Sequence, residues 1–179
     1  MFKLTPEIQK AINTSAVLHK NQERRNGGYP YVVHPFSVAV ILSNYTDDED
    51  IIIAGLLHDI LEDVPEYTKE KMVKEFGQRV TNIVEGVTIT DSLKQYIENL
   101  RRAEEGSFFV AAADKIHNIQ SLIDYHKIEG DAMWKKFHQP KDKKLLYYEE
   151  LLLVLKQGLD NDIVNEYENM LKNNKDIFK

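Results

Sequence analysis

The stretch Ile51-Ile52-Ile53-Ala54-Gly55-Leu56-Leu57-His58-Asp59-Ile60-Leu61-Glu62-Asp63 decides how this chain is read. From Ile51 to Leu57 it is apolar on every side, the pattern of a helix enclosed by protein. Thr46-Asp47-Asp48 supplies a cap and favourable charge at its start, so the spacing predicts one central helix over about 49–63. His58 and Asp59 then fall about 100° apart around its axis. Glu62 and Asp63 follow each of them by four residues, on two neighbouring stripes of one face. An unpaired buried ion costs several kcal/mol, and a bound metal is one of the few things that offsets such a cost.

A second oily run, Phe108–Ala113, ends in Asp114, with Lys115, His117 and Asn118 just beyond. His117 and Asn118 share a helical face with Asp114. The three alanines Ala111–Ala113, like Ala54 and Gly55, permit close packing. His34 stands between Tyr31-Val32-Val33 and Pro35, and a residue before proline is biased to extended backbone, which suits a stiff joint at a helix entrance. His34, His58, Asp59 and Asp114 together make a donor set for one divalent ion. Mixed imidazole and carboxylate suits Mn, Fe, Co, Ni or Zn better than Mg or Ca, and such an ion lowers the pKa of a bound water. Glu62 and Asp63 are the natural pair to orient that water and to carry protons. A lone His-Asp dipeptide is a weak signal, and spacing alone leaves two readings standing, a metal centre and ordinary helix-end or surface pairs.

The remaining punctuation is helical. Thr5-Pro6 opens a helix to about 19, Pro35 opens another to about 44, and Thr68 caps one that Gly77 ends. Further helical segments cover about 79–87, 92–104, 107–125, 130–137 and 141–157. Gly158 reads as a C-cap, followed by a polar helical tail, and Tyr29–Val33 is the best candidate for a strand. The fold class is all-α, a bundle of about eight to ten helices. At 179 residues the chain is expected to form one domain over 1–179. The net charge of −6 argues against a DNA or RNA binder, which would show a basic face. With no cysteine, disulfides, thiolate metal sites and cysteine nucleophiles are excluded. No segment reaches the roughly 20 apolar residues that span a bilayer, and Met1–Pro6 has no apolar signal core, so a cytoplasmic location is expected. Leu145–Leu155 is apolar enough to pack on the core or to join two copies as a homo-oligomer.

These motifs resemble those of the HD superfamily of metal phosphohydrolases, and within it the small alarmone hydrolases, similar to the hydrolase domain of RelA/SpoT homologues. Arg24-Arg25 with Pro30-Tyr31-Val32-Val33-His34-Pro35 resembles their R-K…P-Y-I-x-H-P. Ala54–Asp63 resembles A-A-L-L-H-D-x-x-E-D, Val84-Glu85-Gly86-Val87-Thr88 resembles V-x-G-V-T, and Ala113–Asn118 resembles A-D-R/K-L-H-N. The resemblance covers about 11–123, with C-terminal helices over about 130–179. It implies that His34, His58, Asp59 and Asp114 hold one metal, Mn²⁺, and that Glu62 and Asp63 are catalytic. Arg24 or Arg25 would contact a diphosphate, whose oxygens suit guanidinium forks, and Asn118 would touch the nucleoside sugar. The implied reaction removes the 3′-pyrophosphate of (p)ppGpp, giving GDP or GTP and pyrophosphate, with no membrane or nucleic-acid partner. Two departures leave the nucleotide open: Ile89 stands where the family often has lysine, and Gln120-Ser121 where it has Arg-Thr. An adenosine alarmone such as ppApp, another 3′-phosphorylated nucleotide, or a non-catalytic nucleotide sensor are the alternatives.

Of the single residues, His19 near Gln22 reads as a structural hydrogen-bonding pair. His117 reads as a tether to a ligand carboxylate or as a core histidine. Tyr31 is expected to pack beneath His34. Lys115, the Lys141–Lys144 cluster, His126 and His138 are expected in solvent.

Overall fold

Helix caps set most of the boundaries. In the computed structural model, which describes residues 3–24, 28–89, 92–137 and 139–179, the Thr5 hydroxyl accepts from the Ile8 N–H and opens α1 (Pro6–Leu18). Asp48, Thr68, Ser92 and Asn161 do the same for α3 (Glu49–Leu57), α5 (Lys69–Phe76), α7 (Leu93–Leu100) and α10 (Asp162–Asn173). Gly77, at φ +88°, ends α5 and admits α6 (Gln78–Val87) directly, a left-handed turn that glycine takes without strain. The other helices are α2 (Val33–Leu42), α4 (Ile60–Asp63), α8 (Glu105–Glu129) and α9 (Lys141–Gly158), with 3₁₀ turns at Gly130–Lys136 and Lys175–Phe178. The class is all-α, and among the described residues the only β feature is a single antiparallel bridge, Glu23 to Pro30, not the strand expected at Tyr29–Val33.

Two helices form the centre. Every residue of α3 from Ile51 to Leu57 is buried, as its all-round apolar pattern requires. Helix α8 is buried without interruption from Gly106 to Ile116 and packs on α2, α3, α6, α9 and α10. Small residues let these axes approach. A Cβ on Gly55 would lie 2.4 Å from Leu42 Cδ1 of α2, and Ala111–Ala113 are fully buried.

Three boundaries differ from expectation. The predicted helix over 49–63 breaks at His58-Asp59 into α3 and α4. The His58 ring bonds the Gly55 carbonyl at 2.8 Å, an acceptor that an uninterrupted helix would use for its own ladder. His34 is helical, not extended, because α2 starts at Val33; Pro35 then falls in the first turn, where a missing N–H leaves no bond unmade. Gly158 is the last residue of α9 and not a C-cap. Its lack of a side chain makes room for Phe108, whose Cε1 would lie 2.0 Å from a Cβ there.

Candidate active site

The break in the central helix places His58 and Asp59 at the start of a new turn, and α2 and α8 bring His34 and Asp114 to the same point. His58 Nε2 lies 3.2 Å from His34 Nε2 and 3.1 Å from Asp59 Oδ2. His34 Nε2 is 3.5 Å from Asp59 Oδ2 and 3.2 Å from Asp114 Oδ1. The ligand atoms of His34, His58 and Asp59 lie within 4.8 Å of one another; Asp114 is the outer member, joined through His34. Both imidazoles are buried, and the Asp59 side chain stays 19% exposed, so a solvent-borne ligand can reach the cluster.

Hydrogen bonds set which ring atoms face inward. His58 Nδ1 donates to the Gly55 carbonyl, which leaves Nε2 facing the cluster as the atom a cation would take, bare once its own proton is displaced. His34 Nδ1 is 2.7 Å from His117 Nδ1. With the His34 proton on Nδ1, its Nε2 is also bare, and His117 accepts. Burial and the neighbouring His34 hold His117 down at about 4, which keeps it neutral for that role. His117 therefore tethers an imidazole, not a carboxylate.

The electrostatics ask for positive charge. Burial opposes charging His58, yet the Asp59 carboxylate outweighs it and pushes the ring up to about 9. Burial would raise Asp59, but the charge on His58 holds it below the usual carboxylate range. The donor set fits a metal ion. Ligand atoms about 2.1 Å from one ion stand about 3.0 Å apart at right angles and about 3.4 Å apart at tetrahedral angles, close to the spacings found among His34, His58 and Asp59 and from His34 to Asp114. A proton on His58 is the charge a divalent ion would displace.

Around this centre the side chains hold one another. The Tyr31 hydroxyl donates to Asp59 Oδ2 at 2.6 Å, so Tyr31 does more than pack edge-on to His34. Asn118 donates to Asp114 Oδ1 and accepts from Arg24 Nη2 at 3.0 Å. His19 bonds Gln22 at 2.6 Å, as expected, and Gln22 donates to the Asp63 carbonyl at 3.1 Å. Glu62 Oε2 accepts from the Ile89 N–H at 3.1 Å, so the position without a family lysine acts through its backbone. Burial, with the Asp59 charge, raises both Glu62 and Asp63 above their ordinary values. Arg25 and His138 lie outside the described residues.

A cleft of about 500 Å³ adjoins the cluster through Tyr31 and Asn118, which hydrogen-bond Asp59 and Asp114. Its lining includes Arg24, Tyr31, Glu62, Asp63 and Asn118, together with Tyr125, Phe137, Lys144 and Tyr148 from the C-terminal third. Two expectations fail here. Lys144 lies over the Phe137 and Tyr148 rings in the cleft, not on a solvated face; its i,i+4 spacing from Tyr148 was the available signal. Lys115 is 8% exposed and its Nζ pairs with Asp114 Oδ2. Turning 100° from Asp114 does not reach solvent, because α8 is covered on all sides from Gly106 to Ile116. His126 pairs with Asp131.

An all-helical fold with a His/Asp cluster at its core is that of HD domains. A family model described as HD domain matches residues 11–133, and the chain belongs to that family. Among relatives, the guanosine-3′,5′-bis(diphosphate) 3′-pyrophosphohydrolase MESH1 of Danio rerio is 35% identical over 127 residues, 66% of this chain and 70% of that protein. The guanosine-3′,5′-bis(diphosphate) 3′-pyrophosphohydrolase of Borreliella burgdorferi is 35% identical over 140 residues, 72% of this chain and 21% of that protein. The chain spans about a fifth of the length of the first such curated relatives. A solved metazoan ortholog of SpoT, described as hydrolyzing ppGpp, superimposes with a TM-score of 0.80 at 23% identity, covering 97% of this chain and 98% of its own, a likeness of fold. A protein of Listeria monocytogenes EGD-e gives 0.71 at 28% identity, covering 78% and 96%.

Proposed function

We propose that this chain is a metal-dependent hydrolase of (p)ppGpp that cleaves the 3′-pyrophosphate to give GDP or GTP and pyrophosphate. The observation that carries this reading is the meeting of His34, His58 and Asp59, with Asp114 against His34, beside a cleft walled by Arg24, Asn118 and aromatic rings. The naming of its relatives supports the same substrate.

His34, His58, Asp59 and Asp114 would hold one divalent ion, proposed as Mn²⁺. Bound there, it supplies Lewis acidity that polarises a phosphoryl oxygen and eases the deprotonation of water near neutral pH. The chain's own groups do the rest. Arg24, positioned by Asn118, grips the diphosphate, and Arg25 is proposed to assist it. Asn118 meets the ribose, where the 3′ substituent leaves. Glu62 and Asp63, with raised affinity for protons, orient the attacking water; one takes its proton and one returns a proton to the departing 3′-oxygen. The P–O bond to the ribose 3′-oxygen breaks and the bond from water to phosphorus forms. Tyr125 and Phe137 offer faces on which a purine can stack. The chain is proposed to work as one unit over 1–179, in the cytoplasm, on a small nucleotide and not on DNA or RNA. No described helix is long and apolar enough to cross a membrane.

Product analysis with ppGpp and ppApp side by side, with and without Mn²⁺, tests this. Release of GDP and pyrophosphate from ppGpp only when Mn²⁺ is added is the expected result. Cleavage of ppApp alone moves the assignment to an adenosine alarmone. Binding of either nucleotide with no product in a single-turnover assay would leave a sensor.

A further inference from the structure

Lys115 is an unusual neighbour for a cation site. Its ammonium is buried one residue beyond Asp114, and it pairs with Asp114 Oδ2. The opposite oxygen, Oδ1, takes the Asn118 amide and faces His34 Nε2 at 3.2 Å. Tyr96 of α7 and Tyr147 of α9 close over the ammonium, with ring centroids 5.5 and 5.8 Å from Nζ. Such faces attract a cation and hold it in place. The two oxygens of one carboxylate are thus divided between two tasks, and the division is enforced from two further helices.

We propose that Lys115 is a positioning residue that makes Asp114 a one-oxygen ligand. It rests on the reading of His34, His58, Asp59 and Asp114 as a metal site. By claiming Oδ2, Lys115 keeps that oxygen off the ion and leaves space there for the reaction. By neutralising one carboxylate, it also limits how tightly a divalent cation is held, since like charges in a low-dielectric site repel strongly.

The opposed signs of the two effects make the test specific. Lys115→Met keeps the unbranched apolar body of the side chain and removes the ammonium and its charge. Isothermal titration with Mn²⁺ alone is expected to show binding at least tenfold tighter than in the wild type. Saturated with Mn²⁺, the variant is expected to turn over at least tenfold more slowly, with KM for ppGpp changed less than twofold. Lys115→Arg, which keeps charge and donors, is expected to restore both values to within about threefold. A side chain that merely fills the core would weaken Mn²⁺ binding and lower Tm together, so unchanged or weaker Mn²⁺ affinity in folded Lys115→Met overturns the proposal. Should that variant not fold, a crystal structure of the wild type soaked in Mn²⁺ decides. One Asp114 oxygen on the ion with Lys115 still on the other supports the proposal; both oxygens on the ion overturns it. Wild-type protein that binds no Mn²⁺ would instead sink the metal reading itself.

Discussion

The two ends of α3 treat the same residue type in opposite ways. At its start, Asp48 accepts from the Asp50 N–H and is gripped by Arg79 of α6, which bonds both its oxygens at 2.9 and 2.6 Å and Asp50 at 2.9 Å. These groups are partly in water, and acids at a helix N-terminus are favoured by the dipole. At the far end, Asp59 follows the helix's negative pole and is crowded by buried imidazoles. It sits at the N-cap position of α4, yet no cap bond forms; its oxygen goes to Tyr31 and His58. The first aspartate stabilises the fold where it stands. The second stands where the fold gains least from it, the arrangement expected of a group kept for chemistry.

The sharpest way to break this contrast is to remove each acid and ask what is lost. Asp59→Ala and Asp114→Ala are expected to lower Mn²⁺-dependent turnover by more than about 10³-fold, because the ion loses a ligand and its charge balance. Retained activity in Asp59→Ala would end the site assignment. Glu62→Gln comes next. It is expected to leave Mn²⁺ binding by titration intact and to cut kcat by about 10²–10⁴-fold, the range for loss of a proton-transfer group. An equal loss of metal binding would move Glu62 into the ligand set.

The contrast also marks what could be read in the sequence. His58, Asp59 and Asp114 were legible because each interrupts or ends an oily helical run, and His34 because it stands stiffly before Pro35. The break at His58-Asp59 was not, because the apolar rhythm continues through it into Ile60 and Leu61 and only the His58–Gly55 bond reveals the interruption. For Lys115, a turn of about 100° from Asp114 leads to solvent only where a helix has an open face, which α8 lacks from Gly106 to Ile116. The cleft wall from Lys144 comes from a lysine cluster with the composition of a solvated surface. Gly158 carries the signature of a helix stop, and only the ring of Phe108 shows that space, not backbone freedom, is what the position needs.

A smaller effect is expected from the ion itself. A ligand that binds only the folded chain stabilises it by about 2.7 kcal/mol at one hundred times its Kd. Added Mn²⁺ should therefore raise the wild-type Tm by several degrees, and a chelator should reverse the shift. Asp59→Ala should show no such shift, whereas Asp48→Ala should show all of it. A Mn²⁺ shift surviving in Asp59→Ala would mean that the ion binds elsewhere.

The smallest effect belongs to the exposed end. Arg79 holds Asp48 below the usual carboxylate range through its hydrogen bonds, but both side chains are more than a third exposed. Solvent screening keeps such a pair near the surface value, so Arg79→Ala is expected to cost only about 0.5 kcal/mol in urea unfolding at low salt, and less in high salt. The sign with pH follows from the depressed folded value. The pair's contribution is complete above the ordinary aspartate pKa of about 3.9 and is lost as pH falls through the lower folded one. Wild type and Arg79→Ala should thus differ by a constant amount near neutrality and converge in strong acid, with equal kcat throughout the neutral range. A tenfold fall in kcat in Arg79→Ala would mean that α3 transmits strain from its capped end to His58, and the two ends could no longer be treated as independent.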